Sequence, residues 1–586
     1  MVGNHTLKFG VNFRKNRVTD FSYTSNQIGT YNFQSLTDFV TGDLVNGSYY
    51  SQKFSPLQDA HIRLYNIGVY AQDEWNVKPN LKVTYGIRLD RTANPQCLDD
   101  CFSRLVQPFD SSSFQTGVTI PYNASIQTGL SHAYYKVQPV VADPRVGAVF
   151  TVPGHPGTVV RSGFGIFSDL FPAFIVSNIF NNPPNPYNAF VTNGTVGLSS
   201  VPGSSAAIAA AQYAAFSSGF KNGATFDQLN SSIPGGFSPL NAYSIPNNFK
   251  TPEYLEWSFE VQQRISQKNV LTLTYSGNHG YQLLTTSAFA NVQLPGGLLA
   301  NISPVDPRFG TIAQYANDGR SNYQGLTVAF RRTLAYGFQG QVGYTWSHAL
   351  DTISNGGAGE PYNFCSGCSF GTTPFPNATA GYGNADYDIR HNLVGDFLWD
   401  TPWKMNNKII GNILGNWTLT GRVIARTGTP FSVYDGALPY DVSPTLLEGF
   451  NSLTLTATSL TSSLPITCGR GAVDIPCFSA TQFAPSGMEA TLGNLGRNAF
   501  TGPKYVDFDL SLFKNFNVTE RMRFQFGASA YNVLNHPNFQ NPVADVSNPG
   551  FGTIQSTAIP PTSAYGSFQG SAVSGRVLVL TGKFMF

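Results

Sequence analysis

The most reactive cluster of side chains in the sequence is Asp386 to His391, which contains two carboxylates, an arginine and a histidine. Side chains alternate along a strand, so Asp386 and Asp388 would share one face and could contribute to a cation site. Calcium requires many oxygen ligands, and only these two carboxylates lie close together. A solvated acidic pair is therefore favoured, by roughly five to one, and no metal site is predicted.

Arg390 and His391 follow these carboxylates and raise the question of catalysis. A catalytic nucleophile needs a base within hydrogen-bond reach and a third group that orients the base. The chain carries no serine-containing motif that supplies this arrangement around His391. The sequence therefore predicts a protein that is not an enzyme and needs no cofactor.

The six cysteines form three local pairs in regions predicted to be loops. An even number, close pairing and loop placement favour disulfides in an oxidising compartment. The alternative is a metal site at Cys365-x-x-Cys368, with His348 as an additional ligand. A zinc site usually needs a second ligand pair, so disulfides are favoured by roughly four to one. The predicted pairs are Cys97 with Cys101, Cys365 with Cys368, and Cys468 with Cys477.

The composition indicates a membrane barrel more than a soluble protein. Charged residues make up 12% of the 586 residues and aromatic residues 13%, whereas about a quarter of a soluble protein is charged. Tyr and Phe at this density suit the aromatic girdles of a transmembrane barrel. No apolar run is long enough for a membrane helix. A net charge of +2 gives no reason to expect a nucleic-acid partner.

Alternation with a period of two is the dominant local pattern, and it is clearest near the C-terminus. From Tyr505 to Asn515, apolar and polar residues alternate, and the pattern resumes after a turn at Phe516 to Thr519. Leu81 to Asp90 alternates in the same way. Such strands have one apolar and one polar face, as in a barrel whose apolar face contacts lipid and whose polar face lines the lumen.

Long connections alternate with short turns along the whole chain, so strands occur in hairpins. We count about fourteen strands, an even number as in bacterial barrels with short periplasmic turns and long external loops. The longest irregular region, residues 168–252, contains an Ala-rich segment from Ser204 to Phe216 that predicts a short helix. The predicted fold class is all-β: a transmembrane antiparallel β-barrel that fills residues 1–586 as one partial barrel domain.

The polar faces of these strands carry most of the charge. In a wet lumen a charge costs little, whereas on the lipid face it costs about 2–4 kcal/mol at the midplane. The favoured role is a ladder of ion pairs that stabilises the wall. The predicted lumen-facing charges are Arg88, Glu256, Glu260, Arg422, Asp507, Asp509, Arg521 and Arg523.

The first residues, Met1 to His5, lack the basic and apolar regions of a secretory signal. An exported barrel needs such a signal. The sequence therefore predicts that the chain is a fragment or has a misassigned start.

Several short segments, in a consistent order, resemble TonB-dependent outer-membrane receptors of the Oar-like subgroup. Each is weak alone, but together they extend over nearly the whole chain. The segments are Tyr70 to Trp75 with Leu81 to Arg88, Pro144 to Gly147, Arg161 to Phe167, Ser321 to Leu326, Tyr344 to Asp351, Asp388 to His391, Arg497-Asn498, Gly502-Pro503, Phe513 to Phe516 and Tyr531 to Phe539.

The resemblance implies a 22-stranded barrel filled by an N-terminal plug. Such a receptor takes up a bulky ligand from outside, using energy from the TonB complex through the plug. The plug, the TonB-contacting segment and about eight strands are not recognised here. The aromatic end of the last strand, Phe584 and Phe586, resembles the signal read by the barrel-assembly machinery. The implied surroundings are outer-membrane lipid in a Gram-negative bacterium, with an extracellular ligand that the sequence does not name.

Three functions remain at this point. The first is a TonB-dependent receptor or transporter, represented by part of its barrel. The second is a passive pore or adhesin-like barrel complete at about fourteen strands. The third, least favoured, is an outer-membrane hydrolase, for which no residue pattern gives positive support.

Overall fold

The computed structural model describes most of the chain, including all the strands discussed below. The described residues are 3–45, 47–169, 173–233, 236–287, 290–293, 303–354, 372–373, 379, 381–403, 410, 413–435, 455–462, 464–465, 467–469, 473, 475–485, 493–517, 522–558 and 575–586.

In the described part of the chain the main sheet has 18 strands, of which fourteen are long and are numbered here β1 to β14. The first seven are β1 (His5–Asp20), β2 (Ala60–Lys78), β3 (Leu81–Thr92), β4 (Val141–Thr151), β5 (Thr158–Ser168), β6 (Glu253–Ser266) and β7 (Asn269–Ser287). The others are β8 (Phe309–Ala335), β9 (Phe338–Asp351), β10 (His391–Asp400), β11 (Trp417–Arg426), β12 (Tyr505–Asn517), β13 (Arg523–Tyr531) and β14 (Val577–Met585).

Each of these strands pairs antiparallel with the next one along the chain, from β1 to β14. Short turns explain the hairpins within this up-and-down order, because antiparallel neighbours can be joined by a few residues. It confirms the predicted all-β barrel class and the count of about fourteen strands. Among the described residues, β1 and β14 do not pair with each other.

Short turns join β2 to β3, β4 to β5, β6 to β7 and β8 to β9, all at one end of the sheet. The β8–β9 turn has Tyr336 and Gly337 at positive φ, 52° and 76°. Two consecutive residues in this region form the tight turn that suits the twist of a hairpin. A Cβ on Gly337 would lie 1.9 Å from the carbonyl oxygen of Asp400, so only glycine fits there.

Several strand boundaries differ from the sequence prediction. Strand β8 begins at Phe309 rather than at Asn322, and β7 continues to Ser287. The strand predicted from Tyr387 begins only at His391. Asp388 lies before that start, and its carboxylate accepts a hydrogen bond from the Ala349 backbone amide at 2.7 Å. The alternation of apolar and polar residues does not show where a side-chain hydrogen bond replaces a backbone hydrogen bond between strands.

The long connections at the opposite end of the sheet contain five helices among their described residues. These are α1 (Leu36–Thr41), α2 (Tyr122–Ser125), α3 (Ala173–Ile179), α4 (Ser205–Lys221) and α5 (Phe226–Ser232), with 3-10 turns at Ser22–Thr24 and Ala480–Gln482. The structure contains the predicted Ala-rich helix as α4, whose N-cap Ser204 accepts from the Ala207 amide at 3.1 Å. Among the described residues, no helix is long and apolar enough to cross a membrane.

Short strands complete the connections. They are Thr30–Asn32, Tyr49–Phe54, Gln96–Cys97, Phe102–Leu105, Ile126–Leu130, Tyr187–Val191, Leu240–Ser244, Val292–Gln293, Ser303–Pro304, Thr372–Thr373, Gly383–Asn384, Pro430–Phe431, Tyr434–Asp435, Leu455–Thr456 and Phe500–Thr501.

The buried apolar cores lie in the long connections as well as under the ends of the strands. One cluster joins α4 to its neighbours through Phe216, Tyr122, Tyr187 and Phe237. A second contains Phe102 and Phe180, and a third is built on Phe478 and Phe551. The expectation of irregular connections at residues 168–252 is therefore wrong for much of that segment. Aromatic side chains bury enough apolar surface there to order a compact unit.

Candidate functional site: the polar face of the sheet

The pairing register defines two faces of the sheet. Leu81, Val83, Tyr85, Ile87 and Leu89 of β3 lie opposite Phe150, Ala148, Val146, Pro144 and Ala142 of β4. Directly paired residues point to the same side of a sheet, so these residues share one side, called here the apolar face. The alternate residues form the other side, called the polar face. The β12–β13 hairpin divides in the same way, with Leu512 opposite Ala528 and Ser511 opposite Ser529.

A row of small side chains crosses six neighbouring strands on the polar face. Direct pairings connect its members from β3 to β8. Because glycine and serine project little from the backbone, this row is a shallow trough in the wall. The trough consists of Thr84, Gly147, Gly163, Ser258, Ser276 and Gly325.

Charged and aromatic side chains flank the trough on both sides. The row towards the long connections contains Gly86, Arg145, Gly165, Glu256, Asn278 and Tyr323. The row towards the short turns contains Lys82, Val149, Arg161, Glu260, Thr274 and Thr327.

A cavity of about 780 Å³ lies over the trough. Most of its lining residues belong to the polar face, and they include the predicted charges Arg88 and Glu256. The volume is within the usual range of sites for small or medium-sized ligands. The other polar-face residues of the lining are Tyr70, Gln72, Thr84, Gly86, Asp143, Arg145, Gly147, Gly163, Gly165, Phe167, Ser258, Ser276, Asn278 and Tyr323.

Most of the charges in this cavity already have partners within the wall. Arg88 donates to both carboxylate oxygens of Asp90, at 2.5 and 2.8 Å. Asp143 accepts from the Ser168 hydroxyl at 2.9 Å, and Glu256 accepts from the Asn278 amide at 3.2 Å.

Arg145 is held differently. Its guanidinium lies 4.2 Å from the centre of the Phe167 ring, and it takes part in none of the described ion pairs. A cation on an aromatic ring keeps its N–H groups available for an anionic or carbonyl group. The cavity can therefore receive a polar surface or ligand. Within the described part of the chain, no cluster of three or more metal-ligating side chains is present.

Further ion pairs lie closer to the short turns. Arg161 of β5 bonds to Glu260 of β6, and Glu74 accepts from Lys8 and Lys82, both at 2.5 Å. The predicted residue Glu260 is thus ion-paired to the neighbouring strand. These side chains are partly exposed, so each pair contributes little to stability.

A second group of predicted charges lies on β10 to β12. Arg422 is directly opposite Asp396 on one side and Asp509 on the other. Asp507 lies on the same face as Asp509. The Asp509 carboxylate accepts a hydrogen bond from the backbone N–H of Asn532 at 2.9 Å. The register therefore brings Arg422, Asp507 and Asp509 together, whereas none of the described ion pairs joins them directly.

The remaining predicted residues lie near the C-terminal end of the sheet. Arg523 donates its Nε–H to Asn515 at 3.1 Å, while Arg521 lies outside the described residues. Phe584 is directly opposite Phe524 on the apolar face. Phe586 follows as the last residue, with its ring 6.3 Å from that of Phe584.

Two of the three predicted cysteine pairs are joined by disulfides in the structure, Cys97–Cys101 and Cys468–Cys477. Cys97, Cys101 and Cys468 are buried in the aromatic clusters of the connections. Cys365 and Cys368 lie outside the described residues. The alternative ligand His348 instead contacts the Asn384 side chain, with Nε2 3.0 Å from Oδ1.

The acidic pair Asp386 and Asp388 belongs to a turn rather than to one face of a strand. Asp386 accepts from the Asn498 amide at 2.6 Å and from Arg497 at 3.3 Å. Arg497 also bonds to Asp351 at 2.6 Å. Asp386 and Asp351 therefore belong to a buried network with Arg497, whereas Asp388 contacts Arg390 at 3.5 Å instead. Burial raises the pKa of Asp386, while Arg497 acts in the opposite direction.

Sequence reasoning missed two features of the structure. It did not place Asp143, Arg145 and Tyr323 at the site, although Asp143, Arg145 and Gly147 alternate on one face of β4. It also missed Arg308, whose side chain is 0% exposed beside Asp306. A lone arginine in a loop segment has no periodic pattern that would have revealed its burial.

A long antiparallel meander with one apolar and one polar face is the wall of a membrane barrel, because closed barrels satisfy the backbone in lipid. The chain belongs to the family described as outer membrane beta barrel domain, whose model matches residues 1–565. The protein is therefore located in the outer membrane of Gram-negative bacteria. No curated protein matches it.

Several solved structures are similar to this chain at low identity. The ferric enterobactin receptor of Pseudomonas aeruginosa, solved as a mutant, is 10% identical with a TM-score of 0.43, covering 100% of this chain and 51% of its own. The FrpB iron transporter of Neisseria meningitidis is 10% identical with a TM-score of 0.41, covering 100% and 53%. The siderophore receptor PiuA of Acinetobacter baumannii is 10% identical with a TM-score of 0.41, covering 100% and 54%. The chain thus spans about half the length of these structures.

Proposed function

We propose that this chain forms part of the barrel wall of a TonB-dependent receptor, which takes up a bulky ligand through the outer membrane. One observation carries the proposal. Segments that resemble this receptor class lie far apart in the sequence and converge on one cavity. Gln72 comes from the first segment, Gly147 and Gly163 from the next two, and Tyr323 from a fourth, and all four line the cavity.

In this proposal the polar face lines the lumen and the apolar face contacts lipid. The trough leaves room for a plug or ligand to lie against the wall, since its residues project so little. Arg145, stacked on Phe167, and Glu256 supply groups of opposite charge beside it. Energy would come from the TonB complex through the plug, as the resemblance implies.

A passive pore or adhesin-like barrel is the second candidate, and a specific observation favours it. Arg88, Arg161 and Lys8 are ion-paired to carboxylates of the wall itself. A wall whose charges are already paired needs no plug to balance them. The two candidates differ in whether transport depends on energy.

Substituting Gly163→Trp should reduce energised uptake by about tenfold, equivalent to roughly 1.4 kcal/mol. A Cβ at Gly163 meets no atom closer than 3.4 Å, so the ring can project into the trough and occupy the space of a plug or ligand. The measurement is accumulation by intact cells of a labelled panel of ferric siderophores, oligosaccharides and peptides, with and without a protonophore.

Gly343→Trp is the matched control, because a Cβ at Gly343 meets nothing within 4 Å and Gly343 is not part of the cavity lining. It should accumulate solute like the unmodified protein. Accumulation that persists with the protonophore would identify a passive pore. An equal loss of solute accumulation in the Gly163→Trp and Gly343→Trp variants would contradict the role of the trough.

A further inference from the structure

Four cations lie together on the apolar face at the end of the sheet with the long connections. Lys15 and Arg17 belong to β1, Arg63 to β2 and Arg91 to β3. Arg17 is directly opposite Arg63, and Arg91 is directly opposite Ile67. We call these four side chains the cationic patch.

The cationic patch begins where the apolar residues of this face end. Phe13 is 62% exposed on β1, Ile67 37% on β2 and Leu89 39% on β3. Each strand then has its first cation two to four residues further along the same face. Large exposed apolar side chains followed at once by cations mark the boundary between hydrocarbon and lipid headgroups.

A cavity of about 400 Å³ opens at this boundary. Arg63 and Arg91 line it from two neighbouring strands, with Tyr65, Gln96 and His132 around them. The Arg63 guanidinium donates to the Gln96 side-chain oxygen, which orients it towards this space. The cavity therefore presents two guanidinium groups and several neutral hydrogen-bonding groups.

None of the described ion pairs includes a member of the cationic patch. The carboxylate of Asp99, on the segment that follows Gln96–Cys97, already has a partner: it accepts from the His61 backbone amide and lies 2.8 Å from the His61 ring Nδ1. The contrast with the other face is clear, because Lys8 and Lys82 there share the carboxylate of Glu74. Because these four cations have no carboxylate partner among the described residues, their charge is available to an anion from outside the chain.

We propose that the cationic patch and its cavity bind the phosphate groups of an acidic glycolipid in the outer leaflet of the outer membrane. Long connections lie on the external side of such barrels, so the patch is level with outer-leaflet headgroups. Arginine forks match phosphate oxygens in pairs, and the exposed apolar residues below would contact the acyl chains. The proposal goes beyond the proposed function and rests only on its assignment of the apolar face to lipid.

The test is native mass spectrometry of the detergent-purified full chain with diphosphoryl lipid A. The double variant Arg63→Gln/Arg91→Gln should bind it about 30-fold more weakly, since each cation near a charged lipid surface contributes roughly fivefold. Arg14→Gln is the matched control, because Arg14 is on β1 next to Lys15 but on the polar face. It should bind lipid A like the unmodified chain.

Two further measurements separate the outcomes. Lipid A stripped of both phosphates should bind weakly to every variant, and millimolar inorganic phosphate should not displace the intact lipid. Three results would each overturn the proposal. They are binding of the stripped lipid as tight as that of intact lipid A, displacement of intact lipid A by phosphate alone, and a loss of lipid binding in Arg14→Gln equal to that in the double variant. Charge-retaining Arg63→Lys/Arg91→Lys should bind the lipid more tightly than the Gln variant but less tightly than the unmodified chain, because lysine keeps the charge and loses the paired donors; binding as weak as in the Gln variant would show that charge is not what holds the lipid, and would overturn the proposal. Heat-modifiable gel mobility confirms that each variant is folded, independently of uptake activity.

Discussion

At the scale of single residues, the strongest structural constraint is the buried Arg308. It donates to Asp306 at 2.7 Å, to the Ser125 hydroxyl at 2.8 Å and to the backbone carbonyls of Gln115 and Ile120 at 2.9 and 3.0 Å. Its Nε–H also donates to Asp306 at 3.1 Å, so all five N–H groups are used, and they connect segments that are distant in sequence. Because the buried guanidinium uses all its donors, it holds the loop that contains residues 106–125 against the start of β8.

Replacing Arg308 with Gln should destabilise this local unit by about 3–5 kcal/mol, because Asp306 would remain buried without its partner. The measurement is chymotrypsin cleavage after Phe109 and Phe114, both buried in the native chain. Arg161→Gln is the control, since its ion pair with Glu260 is 43% and 29% exposed and should contribute under about 1 kcal/mol. Unchanged cleavage in Arg308→Gln would show that the buried pair does not order the loop.

At the scale of the elements, alternation on each strand decides which side chains contact lipid. Leu512 of β12 is 44% exposed and lies opposite Leu419 and Ala528 on the apolar face. Its neighbour Ser511 lies on the polar face and contacts Ser529 at 2.8 Å. Adjacent positions on one strand therefore have opposite environments in the proposed barrel.

The substitution Leu512→Arg should impair assembly, since a charge on the lipid face near the midplane costs about 2–4 kcal/mol. Ser511→Arg should be tolerated because the side chain would project into a wet lumen. Heat-modifiable gel mobility after outer-membrane assembly gives the folded fraction of each variant. Equal folded fractions would refute the face assignment, and with it the lipid-binding proposal.

At the scale of the whole molecule, the sheet and its long connections are stabilised in different ways. The sheet is held by backbone ladders between consecutive strands, whereas the connections have aromatic cores of their own. Of the disulfides between described residues, Cys97–Cys101 lies in the β3–β4 connection and Cys468–Cys477 in the β11–β12 connection. The wall should therefore assemble without either disulfide.

The double variant Cys97→Ser/Cys101→Ser should keep normal heat-modifiable mobility but become more sensitive to trypsin at Arg104. Closing so short a loop contributes about 2 kcal/mol, all of it within the β3–β4 connection. Cys468→Ser/Cys477→Ser serves as the counterpart and should leave cleavage at Arg104 unchanged. Loss of heat-modifiable mobility in either variant would show that the connections and the wall fold together.

The sequence by itself determined the existence of the long strands, their faces and the hairpins that short turns join, but not every strand boundary. These features depend on local physics, since a period of two assigns Leu81 and Val83 to one face regardless of what pairs with them, and short turns impose antiparallel neighbours. The helix α4 was also predictable, from a run of good helix formers behind a Ser204 cap. These inferences needed only residues close together in the chain.

Only the tertiary structure decided what meets across the strands. Arg145, Glu256 and Tyr323 share one row because of pairing registers across four strand pairs, and a shift by one residue would move each to the other face. The burial of Arg308 and the Arg497 network likewise depend on segments separated by more than a hundred residues. Periodicity contains no information about such distant partners, so the cavity, the buried ion pairs and the cationic patch emerged only from the folded chain.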